Sequence, residues 1–424
     1  MNTSAEAIAL LRQGRVAEAE QIYEQILQRS PNDIEALNAV ALAALRRADG
    51  RRSIGLLERA VALQPGDSVS HYHLGRARSS AGDLAGGLES YGTAVQLRPD
   101  FYVARLHFAE ALSRAGNKQR APIQYLRALQ DAQQQGHWLD ADTTPKGLQP
   151  LVARAVQIVR EARRDLCAQL LEPLQAQFGA AALTRISEAV RIHIREAAPD
   201  YPDPRQQPTF FYVPGLKATP YVERQLFPWI EALEASTTAI RAELQRLLPN
   251  AQGRERVFDS EELERVNLRG TDTAPSWNGY YFYRYGARRA DNCEACPATA
   301  AAIDAVPLCH IRNHAPEVLY SVFTAGTHLL PHRGVTNTRL VAHLPLIVPA
   351  DCALRVGGEL HAWQEGRVVV FDDTYEHEAW NRSSEIRVVL IFDVWNPQLT
   401  EVERAAISGL VAAMGDFRQL VDQG

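Results

Sequence analysis

Pro31, Pro65 and Pro99 stand 34 residues apart, and each is followed by a polar turn: Asn32-Asp33, Gly66-Asp67 and Asp100. The same period connects the small residues Gly14, Ala48, Gly82 and Gly116, and the large residues Tyr23, Leu57, Tyr91 and Tyr125. Ala60, Ala94 and Ala128 make a fourth series. A repeat of this length holds two amphipathic helices with a small residue at the turn between them. The proline stops the second helix, because its ring removes a donor and clashes with the preceding turn. One hairpin cannot cover its own apolar face, so neighbouring hairpins must stack.

Period and positions resemble the tetratricopeptide repeat over about residues 2–135. The resemblance implies a concave face offered to a peptide or protein, with packing against the rest of the chain as the alternative. Composition excludes other roles. Forty-five Lys+Arg against fifty Asp+Glu give a net charge of −5, whereas a general nucleic-acid binder needs a basic surface to displace counterions. No run approaches the ~18–20 apolar residues of a membrane span, and the opening residues lack the basic-then-apolar order of a signal peptide. The cysteines at 167, 293, 296, 309 and 352 are too scattered for a disulfide framework. A soluble, cytoplasmic protein without a transmembrane segment is expected.

Helical periodicity continues from 136 to 200, with Leu148, Leu151, Val152, Val156, Ile158, Val159, Leu166, Leu170 and Leu171 read as core. The prolines and aromatics of 199–220 mark a boundary, and helix is expected again near 221–248. Beyond 275 the pattern becomes short strands rich in Val, Ile, Phe and Tyr: Tyr280–Tyr285, Val318–Phe323, Thr338–Val348, Ala353–Val356, Arg367–Phe371 and Ile386–Val394. Such a series predicts an antiparallel sandwich or jelly roll. Along 338–348 the residues alternate. Arg339, Val341, His343, Pro345 and Ile347 share one face, and Leu340, Ala342, Leu344, Leu346 and Val348 form a packing face.

Chemistry-bearing residues concentrate in Gly326–Gly334, in Phe371–Asn381, and at Arg387, ten residues after His377. Two histidines from separate strand ends and an arginine from the next strand can converge at the mouth of a jelly roll. Neutral imidazoles suit Fe, Zn, Cu or Ni, with positions left open for other ligands. An arginine deep in such a pocket matches a carboxylate through two parallel hydrogen bonds. Arg387 opens the apolar run Val388-Val389-Leu390-Ile391-Phe392, where burying a guanidinium without an anion is expensive.

From about Pro208 to Asn396 the chain resembles the aspartyl/asparaginyl β-hydroxylase family of Fe(II)/2-oxoglutarate dioxygenases. The stretches that carry the resemblance are Phe211-Tyr212-Val213-Pro214-Gly215, Trp277 with Gly286, Gly326-Thr327-His328, Pro331-His332-Arg333-Gly334, Thr336-Asn337-Thr338-Arg339, Phe371-Asp372-Asp373, Glu376-His377-Glu378-Ala379-Trp380 and Asp393-Val394-Trp395-Asn396-Pro397. It implies His332 and His377 as iron ligands. Gly334 stands where the wider superfamily has a third, carboxylate ligand, and water takes that place. It further implies Arg387 and Ser321 at the far carboxylate of 2-oxoglutarate, His343 at its iron-proximal end and Trp277 lining the pocket. Fe(II), 2-oxoglutarate and O2 are the expected cofactor and co-substrates. Val341 departs from the pattern, since the family has an arginine two residues before the histidine matched by His343.

The fold expected is multidomain α + β. A tetratricopeptide solenoid at 1–135 is followed by a helical bridge at 136–205. A double-stranded β-helix (jelly roll) with flanking helices spans 206–400, and a C-terminal helix follows at 401–424. The implied activity is hydroxylation of an unactivated C–H bond, the β-carbon of Asp or Asn in a peptide or protein, releasing succinate and CO2. Hydroxylation of a free amino acid or a lipid acyl chain, a cupin-like metal enzyme, and a non-catalytic repeat scaffold are the competing readings. His328 is read as a loop residue with a polar partner, Asp372-Asp373 as turn residues, Cys293 and Cys296 as buried or free thiols, and Asp393 and Trp395 as supports of the fold.

Overall fold

The computed structural model describes residues 3–249, 253–270 and 275–423. The chain divides into two compact units, one of residues 1–163 with 417–424, the other of residues 164–416.

The first unit is built from helical hairpins. Its helices are α1 (Ser4–Arg12), α2 (Val16–Arg29), α3 (Ile34–Arg46), α4 (Gly50–Leu63), α5 (Ser68–Ser80), α6 (Leu84–Leu97), α7 (Tyr102–Arg114) and α8 (Arg120–Gln134). Gly14, Ala48, Gly82 and Gly116, the small residues of the 34-residue series, all have positive φ, between 60° and 89°. That left-handed residue closes the first helix of each hairpin, so the series marks a backbone requirement. Aspartates cap the helices that follow, as Asp33, Asp49, Asp67 and Asp83 each accept from the backbone N–H three residues on. The large series, Tyr23, Leu57, Tyr91 and Tyr125, is buried. At Gly75 a β-carbon would lie 2.6 Å from the Tyr91 ring, so that helix contact admits only hydrogen.

α9 (Gln149–Phe178) and α10 (Thr184–His193) follow. Of the apolar stripe expected to be core, Val152, Val159 and Leu171 are buried while Val156 is exposed. The helix expected from Tyr221 starts later, as α11 (Ile230–Ala235) and α12 (Thr237–Leu247). Val222 instead donates its N–H to Val370 O at 2.9 Å, and Pro228 delays helix entry. The remaining helices are α13 (Glu261–Asn267), α14 (Ala290–Ala295), α15 (Pro297–Asp304) and α16 (Glu401–Gln423).

The strands are β1 (Glu255–Arg256), β2 (Leu268–Arg269), β3 (Trp277–Arg284), β4 (Ala287–Arg288), β5 (Val318–Phe323), β6 (His328–His332), β7 (Arg339–Ile347), β8 (Cys352–Val356), β9 (Glu359–Ala362), β10 (Val369–Phe371), β11 (His377–Asn381) and β12 (Arg387–Trp395). They form two antiparallel sheets. The larger runs β1-β3-β5-β12-β7-β10, with β4 beside β3, and the smaller β2-β6-β11-β8-β9. One face of the larger sheet packs on helices: Tyr320, Leu340, Leu344 and Leu390 join residues of α11, α12 and α15 in one core. The other face meets the smaller sheet, where Phe323, Val341, Phe371 and Val389 lie against Leu329, Leu354, Val356 and Ala379. A sheet covered on both faces needs strands apolar at every position, which accounts for Val388-Val389-Leu390.

Asn381 ties the two sheets together at one end. Its amide donates to Thr324 O at 3.0 Å and Glu385 O at 2.7 Å, and its carbonyl accepts from the hydroxyl of Ser383 at 2.7 Å. It is fully buried, so Asn381→Ala strands several backbone groups. A loss of at least about 2 kcal/mol is expected. Denaturant unfolding read by tryptophan fluorescence reports on this unit, because five of the six tryptophans lie in it. An unshifted midpoint would refute the assignment.

Candidate active site

A cavity of about 200 Å3 lies between the sheets, and Trp277, Ser321, His332, His343, His377 and Arg387 all line it. Strand alternation explains β7, where Arg339, Val341 and His343 point inward together. The placement of His332 needs more. Its strand pairs His332 with His377 but Leu329 with Ala379, so β6 carries one residue more than β11 over that interval. This β-bulge, with Pro331 inside it, lets both Leu329 and His332 face the cavity. A proline is tolerated at a bulge and not in a regular central strand. The segment read as a loop is therefore a strand with a defect. His328 falls on the other side of that defect and bonds to Glu378 at 2.7 Å, outside the cavity lining.

The imidazoles of His332 and His377 lie with ring centroids 4.1 Å apart. Each Nδ1 meets a backbone carbonyl, Leu330 O at 2.8 Å and Tyr375 O at 3.0 Å. A carbonyl only accepts, so both Nδ1 atoms carry a hydrogen, and in the neutral ring this leaves the Nε2 lone pair to meet another partner. Burial and the neighbouring His332 push the His377 pKa down to about 3, leaving that ring neutral near pH 7. Among the described residues no group of three or more His, Cys, Asp or Glu side chains is arranged to hold a metal.

Arg387 is buried, 1% exposed. Its Nη1 approaches Ser321 Oγ at 3.3 Å, and Ser321 Oγ also accepts from Trp277 Nε1 at 2.9 Å. The guanidinium stacks over Phe323, 3.7 Å from the ring centre, and its Nε has no partner. Among the described residues no carboxylate pairs with it, and burial lowers its pKa to about 9. His343 lies nearby with Nδ1 unpartnered. Burial, then the charge of Arg387, holds its pKa well below the ordinary value.

Asp373, expected to serve as a turn residue, reaches the cavity instead, whereas Asp372 does make the turn, accepting from Thr374. Asp373 Oδ2 accepts from Arg339 at 3.1 Å, and Arg339 also grips Asp393 at 2.6 Å. Asp373 Oδ1 has no hydrogen-bond partner. Burial raises the Asp373 pKa, opposed by Arg339 and His332. A β-carbon built on Gly334 would fall 2.1–2.3 Å from the Asp373 carboxylate. The space that a side chain at 334 would fill is thus occupied by an acid from a distant part of the chain. Cys293 and Cys296 are buried free thiols.

A family model described as Aspartyl/Asparaginyl beta-hydroxylase matches residues 234–397, the interval containing every residue of this cavity. Over that interval the chain is similar to the family. Human aspartyl/asparaginyl beta-hydroxylase is 32% identical over 208 residues, 48% of this chain and 26% of the relative. An ornithine lipid ester-linked acyl 2-hydroxylase of Rhizobium tropici is 37% identical over 181 residues, 42% of this chain and 61% of the relative. The chain therefore spans about a quarter of the human relative and less than two thirds of the bacterial one. Among solved structures, YrrB, a TPR protein with an unusual peptide-binding site, aligns at 16% identity with a TM-score of 0.29, covering 38% of this chain and 74% of that one.

Gly334→Ala should displace the Asp373 carboxylate and cost about 1–3 kcal/mol, as over-packing does in a filled site. Tryptophan-monitored unfolding measures it, and a variant as stable as the parent would show that the acid is not confined there.

Proposed function

We propose that the hydroxylase-family region is an Fe(II)- and 2-oxoglutarate-dependent dioxygenase whose two sheets form a double-stranded β-helix. It hydroxylates an unactivated C–H bond, the β-carbon of Asp or Asn in a peptide or protein, with succinate and CO2 as co-products. One observation carries this reading: an arginine that no anion holds among the described residues is buried in the same small cavity as two imidazoles whose Nδ1 atoms are both engaged by backbone carbonyls. Left unpaired, such a cation is costly. A bound carboxylate relieves it, and 2-oxoglutarate offers one at the end remote from its keto acid.

His332 and His377 would hold the metal, and the unpartnered polar atoms of Arg387, His343 and Asp373 around the same cavity fit an occupied site. Iron bound there supplies activation of O2 coupled to oxidation of the keto acid. Arg387, with Ser321 and Trp277, orients the far carboxylate. His343, held neutral by burial and by Arg387, contacts the near end without adding charge. Asp373 fills the space beside Gly334, and its charge acts on His332. The walls of Leu319, Val341, Leu354 and Ile391 keep water from the reacting carbon. The helical hairpins would hold the polypeptide substrate, a reading supported by their tetratricopeptide-like spacing.

Three outcomes are expected. In the full chain, 2-oxoglutarate at a hundred times its dissociation constant should add about 2.7 kcal/mol of stability, seen as a rise in melting temperature. Arg387→Met should raise the melting temperature of the ligand-free protein, because it removes an uncompensated buried charge, and should abolish the 2-oxoglutarate response. His332→Ala and His377→Ala should each lose Fe(II) binding under anaerobic titration. A protein that binds neither, and forms no succinate with any peptide, amino acid or lipid, refutes the reading.

A further inference from the structure

The cavity lining holds three carboxyl groups, on Glu317, Asp373 and Asp393, against two guanidinium groups, on Arg339 and Arg387. Arg339 is committed, since it bonds Asp393 through one nitrogen and Asp373 through the other. Asp393 also accepts from the backbone N–H of Glu317 at 2.9 Å, and the Glu317 carboxylate, which accepts from the backbone N–H of Tyr285, lines the same cavity. Arg387 is the one lining cation that no acid holds among the described residues, and the reading given above assigns it to 2-oxoglutarate. Once that co-substrate is bound, no unpaired positive side chain remains among the described residues of the lining for a second organic anion. Val341 lies between Arg339 and His343 on the inward face of β7, opposite Asp393 on β12 and Phe371 on β10. It presents a hydrocarbon wall where a cation would be needed.

We infer that the substrate group entering this cavity is uncharged, an asparagine-type amide and not an aspartate carboxylate, and that Val341 is the specificity-determining residue. The inference rests on the dioxygenase reading and narrows its substrate. A carboxylate brought to this wall loses its water and meets the Glu317–Asp393–Arg339–Asp373 cluster, where acids outnumber the arginine. Uncompensated burial of an anion is the more expensive alternative. A neutral amide escapes the repulsion, pays a smaller desolvation cost than a carboxylate, and can still bond to polar edges of the wall.

The test uses the full-length protein and two peptide libraries, identical except for a central Asp or Asn. Binding is read from broadening of the central β-proton resonances by Mn(II) in protein loaded with 2-oxoglutarate, which requires no turnover, and hydroxylation is read by mass under Fe(II). The Asn library should be favoured at least tenfold in both. Val341→Arg should shift the ratio at least tenfold toward Asp, while Val341→Met keeps the parent preference. Equal response to the two libraries, or a preference for Asp, overturns the inference, and the unmutated protein decides this even if Val341→Arg does not fold. Failure of the dioxygenase reading looks different: 2-oxoglutarate would then leave the melting temperature unchanged and no succinate would form with either library.

Discussion

The desolvated guanidinium of Arg387 is the constraint around which the rest of the C-terminal region is organised. A charge there is tolerated because the surroundings are built for it, with Phe323 under the plane and Ser321 at one nitrogen. Helices cover the far side of its sheet, so neither a shift in register nor local fraying can bring it to water. Among the described residues no acid reaches the cation, so its charge stays uncompensated. The two imidazoles lie on the opposite sheet, so the cavity between the sheets has the guanidinium on one wall and the imidazole pair on the other.

The 34-residue series was legible because it encodes backbone conformation. A left-handed helix terminus excludes most side chains, and helix approach excludes large ones, so the pattern survives in the sequence as small residues. The central strands were legible for a similar reason: burial on both faces leaves continuous apolar runs. What escaped was β6, which carries a proline and an odd residue count and so breaks the alternation by which strands are recognised. β11 escaped as well, because His377, Glu378 and Asn381 serve the site and the fold's polar knots.

The site residues were legible mainly where a family pattern accompanied them. His332 and Arg387 lie in segments whose chemistry stands out locally. Asp373 had no such signal. Next to Asp372 it reads as half of a turn, and only one of the two makes it. The partner that explains Asp373 is the missing side chain of Gly334, a relation between absent atoms that no local pattern records. Arg339 was likewise ambiguous, since its role depends on two acids from other strands meeting it at once.

The bulge in β6 has a consequence for how this region can change over evolutionary time. His332 faces inward only because the interval from Leu329 is one residue longer than regular pairing allows. Removing Pro331 or a neighbour would restore a regular ladder and rotate the imidazole to the outer face, with every other part of the cavity intact. Chain length here is a stricter requirement than residue identity. Leu330 and Arg333 do not line the cavity, so their identity matters less there than the residue count of β6, which sets whether His332 faces His377 across it.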